Sequence, residues 1–167
     1  MSTDFGSYRS VLQFTRPANT TAYTAGDVVG TGTGAIHQLR NLGKPGGFIQ
    51  IQSVRLQIHV ASIPSGMSNF RVHFYSASPT AIADNAAFDM VAADREPYMG
   101  FLDLPSPQDF GSTLFAQVDY AGILVRFANN TNSLWFQLQT LGTFTPGANS
   151  EVYEMRVNAL DSGYRSW

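Results

Sequence analysis

The sequence predicts an all-β domain, built as an antiparallel two-sheet sandwich of the jelly-roll type. Almost every ordered segment alternates apolar and polar residues with a period of two, which is typical of half-buried strands. The chain contains 15 glycines and 8 prolines, and many of them separate the alternating segments into short pieces. At 167 residues, with no internal repeat or linker, the chain fits one domain. Short strands with turn residues between them favour a sandwich over a helical fold.

The alternation predicts eight to ten strands, and their bounds follow from where it starts and stops. In the last segment Tyr153, Met155 and Val157 alternate with Glu154 and Arg156, so one side is apolar and the other polar. In chain order the candidate strands are 11–15, 23–29, 35–40, 49–60, 70–75, 98–103, 112–118, 122–127, 134–141 and 151–159.

The strand at 49–60 contains a change of phase. Ile49 and Ile51 share one parity, whereas Val54 and Leu56 have the opposite parity. A β-bulge at Gln52 and Ser53 would let one long strand keep a single buried face.

The strands at 49–60 and 70–75 are expected to form a hairpin with a long loop, with Val60 opposite Phe70. This register places two histidines and two arginines together on an outward polar face. Such a group could bind a metal or an anion, but no carboxylate in the hairpin completes the site, so contact with another protein is the favoured interpretation. These four residues are Arg55, His59, Arg71 and His73.

Two segments depart from the strand pattern. The alanine-rich stretch at 84–93 predicts a short helical excursion across one end of the sandwich, with Asp84 as its N-cap and Phe88 and Val91 on one face. The polar residues 1–10 predict a mobile N-terminal arm, which leaves 11–167 as the single β-sandwich domain.

No set of residues predicts catalysis. The acids are densest between residues 84 and 109, but they lack the spacing of a calcium loop or of a fixed acid–base pair. The glycine-rich runs at 30–34 and 43–47 do not match a phosphate-binding loop, and no nucleophile motif is present. We therefore predict a protein that is not an enzyme and that has no metal site and no cofactor, with a small hydrolase using Asp84, Asp89 and Asp94 as the weaker interpretation.

The composition favours an assembly component. Only 13% of the residues are charged, and Lys44 is the single lysine among ten basic residues. Protein interfaces are depleted in lysine and acids, whereas solvated surfaces are rich in them. A net charge of −2 without a basic run argues against nucleic-acid binding, and no apolar stretch is long enough to cross a membrane. The absence of cysteine fits folding in a reducing cytoplasm.

Two tryptophans are candidate contact residues. The parity of 134–141 directs Trp135 outward with Gln137 and Gln139, and Trp167 ends the chain. Exposed tryptophans anchor protein interfaces or stack on sugars. A carbohydrate-binding or tail-associated adhesin module is therefore the alternative function.

Two runs of sequence resemble small virion proteins encoded beside the capsid genes of tailed bacteriophages. They are FTRPANTTAYTAGDVVG at 14–30 and PTAIADNAAF at 79–88, the second continuing to residues 93–95 and 98–100. The resemblance implies a head decoration, or cement, protein that binds the outside of a phage capsid and stabilises the shell.

The resemblance also implies the partners and the location. The partners would be the major capsid protein and further copies of the chain, as a homotrimer or alternatively a homodimer. The protein would reside in the host cytoplasm before assembly and on the capsid exterior afterwards. The arm and the six candidate contact residues (Arg55, His59, Arg71, His73, Trp135 and Trp167) would then touch the capsid or a neighbouring subunit.

Overall fold

The computed structural model describes residues 6–32 and 34–162, and strands dominate this part of the chain. No helix in these two ranges combines the length and the apolar character that a membrane crossing requires. The strands are β1 (Ser7–Thr15), β2 (Val28–Val29), β3 (His37–Leu39), β4 (Phe48–Ile58), β5 (Phe70–Tyr75), β6 (Tyr98–Leu104), β7 (Gln108–Asp109), β8 (Leu114–Asp119), β9 (Leu124–Arg126), β10 (Leu134–Thr140) and β11 (Val152–Asp161).

The strands form two antiparallel sheets. The first sheet has the order β1-β11-β4-β8-β7, with β9 pairing the start of β4. The second has the order β2-β10-β5-β6, with β3 also paired to β10. The predicted all-β, two-sheet sandwich is confirmed.

The strand pairing is that of a jelly roll. The first strand, β1, pairs with the last, β11, and the next strands inward, β2 and β3, pair with β10. Further in, β4 pairs with β8 and β5 with β6. The chain is thus one long antiparallel ribbon, and the β4–β11 and β5–β10 pairings roll it into two sheets.

The core lies between the two inner faces, as the alternation predicts. The predicted bulge in β4 is also confirmed, because Asn158 pairs with Ser53 whereas the next residue, Ala159, pairs with Ile51. Gln52 is therefore the extra residue. Ile51 and Val54 are consequently both buried although their parities differ.

The predicted hairpin between β4 and β5 is wrong. β4 lies between β11 and β8 in the first sheet, whereas β5 lies between β10 and β6 in the second. Residues 59–69 cross from one sheet to the other, a separation of about 10 Å that a loop of this length spans easily. Alternation identifies the buried side of each strand but does not distinguish a neighbour in the same sheet from one in the facing sheet.

The predicted helix at 84–93 is also wrong, and a single 3₁₀ turn at Ala92–Asp94 is the helical structure there. The backbone of residues 82–88 instead forms hydrogen bonds with residues 26–35. A helix would need the same N–H and C=O groups, so this pairing replaces it. Asp84 caps no helix because its carboxylate accepts hydrogen bonds from the 26–35 segment and from Tyr23.

The first strand begins earlier than the alternation predicts. Residues 7–10, part of the predicted arm, belong to β1 and pair with residues 157–160 of β11. The cross-strand hydrogen bonds and the buried Ser10 side chain fix this stretch in the sheet. The arm prediction for residues 1–5 falls outside the described residues.

Candidate interaction surface

The outer face of the first sheet is open to solvent. We call the outward side chains of residues 7–15, 50–57, 115–119 and 152–160 the open face. Every one of these outward side chains is at least partly exposed, while the inward side chains of the same strands form the core. The central strands β11 and β4 run through the middle of this surface.

Hydrogen bonds between side chains connect β1 and β11 on the open face. Gln13 Nε2 donates to Glu154 Oε2 at 2.7 Å, and Arg156 Nη2 donates to Glu154 Oε1 at 3.0 Å. The pKa of Glu154 is lowered chiefly by the hydrogen bond from Gln13, so the carboxylate stays charged. These bonds fix the side chains along one edge of the face.

A second group connects β4 and β8. Arg55 Nε donates to Gln117 Oε1 at 2.9 Å, and Gln117 Nε2 donates to Asp119 Oδ1 at 2.7 Å. The Arg55 guanidinium also lies over the Phe115 ring, 5.0 Å from its centroid. Because these side chains are already held in place, a partner would immobilise few additional rotamers on binding.

The chemistry of the open face is that of a polar interface. Glutamine and arginine are its most frequent residues, and the single lysine, Lys44, lies in a loop outside it. Exposed apolar side chains lie at its margins, with Val11 43%, Leu124 52% and Leu160 38% exposed. The open face therefore contains no lysine, as is common in protein interfaces.

The outer face of the second sheet is covered over much of its area, while Phe101 and Asp103 of β6 stay exposed. Residues 76–97 cross this face, and the Phe88 ring lies flat on His73, with centroids 3.8 Å apart and planes 9° apart. Gln137 Nε2 donates to the carbonyl oxygen of Thr80 at 2.9 Å, which fastens the covering segment to β10. Asp94, itself buried, accepts hydrogen bonds from the Thr80 backbone N–H at 3.0 Å.

The four predicted contact residues on β4 and β5 do not share a face. Arg55 lies on the open face, and the exposed His59 follows the end of β4. Arg71 and His73 lie on the other sheet, so the predicted cluster is wrong in its geometry. The contact roles of all four residues remain predictions.

The two residues on β5 are occupied by internal partners. Arg71 Nε and Nη2 donate to the two carboxylate oxygens of Asp103 at 2.7 and 2.9 Å, and the guanidinium stacks on Phe101. His73 is buried between Tyr98 and Gln139, to which its two ring nitrogens are hydrogen-bonded. Burial lowers the pKa of His73 to about 4.

The tryptophans give the surface little exposed aromatic area in the described residues. Trp135 faces outward as predicted but is only partly exposed, between Tyr75 and Gln38 of the neighbouring strands. Trp167 lies outside the described residues. Among the described residues, the carbohydrate-binding alternative therefore depends on one half-buried tryptophan, Trp135, to stack on a sugar.

The three acids of the hydrolase interpretation do not converge. Asp84 binds Gly30 and Tyr23, Asp94 binds Thr80, and Asp89 is exposed. Across residues 6–32 and 34–162, no three histidine, aspartate or glutamate side chains are grouped to hold a metal ion.

Sequence reasoning missed a cluster of buried charged side chains around Arg16, the residue that follows the end of β1. Arg16, fully buried, donates through Nε to the Tyr23 hydroxyl, and that hydroxyl donates to Asp84 Oδ1 at 2.6 Å. Arg16 also lies 3.7 Å from Asp84 Oδ2 and 3.8 Å from Glu151 Oε2. Burial raises the pKa of Tyr23 far above its usual value. The cluster joins the ends of β1 and β11 to the segment that covers the second sheet, a relation that residue spacing does not reveal.

Comparison with known proteins identifies no family. No protein-family model matches the sequence, and no curated protein matches it. Solved structures that share some likeness include a chain of the cyanophage Pam1 capsid asymmetric unit, with 12% identity, a TM-score of 0.39, and coverage of 96% of this chain and 88% of that chain.

Two further chains show a similar degree of likeness. A chain of the Ralstonia phage GP4 capsid has 12% identity and a TM-score of 0.39, with 95% of this chain and 85% of that chain covered. A chain of Cocksfoot mottle virus has 11% identity and a TM-score of 0.37, with 98% and 97% covered. Because all these TM-scores lie below 0.5, the jelly-roll assignment stands on the strand order of the chain itself.

Proposed function

We propose that the chain is a virion structural protein that binds the outer surface of a phage capsid and stabilises the shell, without catalysis. Its partners are the major capsid protein and further copies of itself, and it resides on the capsid exterior after assembly. The open face carries this proposal. The resemblance of residues 14–30 and 79–88 to small phage virion proteins supports the choice of a capsid as partner.

The open face suits a broad contact that forms with little rearrangement. Its glutamines and arginines are cross-linked by hydrogen bonds, so much of the side-chain entropy is lost before binding. Its polar centre and partly apolar margin suit a protein that must also remain dissolved before it binds. On a lattice of identical subunits, contacts of modest affinity at each site add up to stable attachment.

The covered outer face of the second sheet indicates which side of the molecule would meet the capsid. Because residues 76–97 occupy the outer side of the second sheet, only one of the two sheet faces presents a continuous open strand surface. The molecule would thus lie with its first sheet against the capsid and its covering segment towards solvent.

The test is binding to purified expanded capsids, measured by co-sedimentation, together with the temperature at which the shells disrupt. The unmodified protein is expected to bind and to raise that temperature. The double variant Gln57→Lys with Gln117→Lys places two lysines on the open face and should weaken binding at least tenfold.

The matched control is Ala83→Lys with Ala93→Lys, which adds the same charge to exposed positions of the covering segment. This control should bind as the unmodified protein does. Equal binding by both double variants, or failure of the unmodified protein to bind and stabilise the shells, would overturn the proposal. Circular dichroism of each variant shows whether the fold is retained.

A further inference from the structure

The two sheets differ in how their long edge strands are protected. β1 forms one edge of the first sheet, and β6 forms one edge of the second. In the described residues, β1 pairs with β11 alone and β6 with β5 alone. An edge strand exposes unpaired backbone groups, which invite another strand unless something blocks them.

β6 carries several features that block pairing. Pro97 precedes it and Pro105 follows it, and its register with β5 is broken at Gly100, which has a φ of 111°. A bulge and flanking prolines interrupt the flat row of backbone groups that an incoming strand requires.

β1 carries none of these features. Its nine residues, SYRSVLQFT, include no proline, glycine or lysine, and its register with β11 is unbroken from Ser7 to Thr15. A groove of about 300 Å³ runs beside its middle, between residues 10–12 and the segment formed by residues 36–38 and Arg40. No strand of the described residues is hydrogen-bonded to this side of β1, so its backbone groups here are free to pair with a further strand.

We propose that β1 pairs antiparallel with β1 of a second copy of the chain, across a two-fold axis at Val11. The two first sheets then join into one continuous sheet. This dimer goes beyond the proposed capsid role and holds whether or not the protein binds a capsid.

The sequence of β1 is complementary to itself about Val11. This centre is the one that pairs all nine residues, and it places Arg9 opposite Gln13 and Ser7 opposite Thr15. No charged residue faces a like charge, as Arg9 would if the axis lay at Arg9. A two-fold axis requires this kind of self-complementary surface.

Charge and apolar contact on the two sides of the sheet also fit this register. On the outer side, Gln13 Nε2 donates to Glu154 Oε2 at 2.7 Å. Because Arg9 of the second copy would lie opposite Gln13, its guanidinium would lie near this carboxylate. On the inner side, Leu12 is only partly buried and lines the groove with Ile36. Pairing would cover this apolar surface and the exposed Val11 side chain.

The absence of cysteine from the chain allows a direct test of the register. In a Val11→Cys variant the two introduced thiols should face each other, with Cα atoms about 4.5–5.5 Å apart, and mild oxidation should give a disulfide-linked dimer. Arg9→Cys alone and Gln13→Cys alone should give little cross-linked product, whereas their mixture should form a heterodimer. Equal cross-linking of all three single variants would overturn the register.

The oligomeric state of the cysteine-free protein tests the interface itself. Sedimentation equilibrium should show a dimer, and Val11→Lys should weaken its association at least tenfold because two lysines would meet on the axis. Phe101→Lys, on the edge strand β6, is the control and should leave the association unchanged. A protein that is monomeric at about 100 µM would have a free energy of association weaker than about −5.5 kcal/mol, and this result would overturn the proposal. A trimer whose association is not weakened by Val11→Lys would overturn it as well.

Discussion

The rings of His73 and Phe88 are stacked with their centroids 3.8 Å apart, and this contact holds a loop against the outer side of a sheet. His73 comes from β5, and Phe88 comes from the segment that crosses over it. The contact buries an imidazole that the strand alternation assigns to solvent. It also covers part of the outer face of the second sheet.

Burial of two histidines makes the fold sensitive to acid. The pKa values of His37 and His73 are both lowered to about 4, chiefly by desolvation. The unfolded chain binds these protons near pH 6.5, so between pH 6.5 and 4 it holds protons that the folded chain does not. The free energy of unfolding should therefore fall as the pH falls through this range, by up to about 3 kcal/mol for each histidine.

Urea denaturation at several values between pH 7 and pH 5 measures this dependence above the range in which most carboxylates titrate. The variant His37→Leu removes one titrating group and should flatten the dependence, even if its stability at pH 7 also changes. A slope unchanged in His37→Leu would show that His37 does not contribute.

Loss of the Arg16 charge should lower the free energy of unfolding more than loss of an arginine charge at the surface. Replacing Arg16 with methionine leaves Asp84 and Glu151 buried without their cation, which should cost about 3–5 kcal/mol of unfolding free energy. Arg55→Met, on the open face, removes an arginine of the same size from a partly exposed site and should cost less than about 1 kcal/mol. Chemical denaturation of both variants checks the difference, and equal losses would contradict it.

Gly66 lies in a turn that requires glycine. Its φ is 84°, and a Cβ added there would lie 2.1 Å from the Thr143 carbonyl oxygen. Gly66→Ala should therefore destabilise the protein by about 2 kcal/mol or more, because backbone strain and a clash with main-chain atoms act together. Gly32→Ala is the control, since no described residue beyond its two chain neighbours has an atom within 4 Å of the added Cβ, and it should change stability by less than about 0.5 kcal/mol. Melting temperatures that fall equally would contradict this prediction.

The bulge in β4 predicts which residue can be deleted. Removing Gln52 restores simple alternation between Ile51 and Val54, so the chain should still fold, although the Ala121 N–H loses the Gln52 carbonyl that accepts its hydrogen bond. Removing Gln57 instead turns Ile58 to the outer face and should abolish the cooperative thermal transition. A folded Gln57 deletion, or an unfolded Gln52 deletion, would contradict this account of the bulge.

Individual strands were readable from the sequence because the alternation has a local physical cause. The extra residue at Gln52 could be located because Ile51 and Val54 both require burial. β7 was missed because two residues, Gln108 and Asp109, are too few to show a period.

Relations between distant segments were not readable in the same way. Nothing near His73 in the chain indicates that Phe88 will cover it. Asp84 reads as a helix cap locally, but its carboxylate binds Gly30 and Tyr23, whose approach depends on the completed sandwich. Of the predicted contact residues, Arg55 was placed on an open surface, whereas the shared site with His73 failed because β4 and β5 lie in different sheets.

The pairing of β1 with β11 determines when the molecule can fold. β1 ends at Thr15, whereas its partner among the described residues, β11, begins only at Val152, so β1 stays unpaired until residues 152–161 have left the ribosomal exit tunnel. During synthesis β1 has an unsatisfied edge on both sides, and nascent chains on neighbouring ribosomes would present the same edge to one another. Pairing between nascent chains through β1 therefore competes with correct folding until β11 has been made.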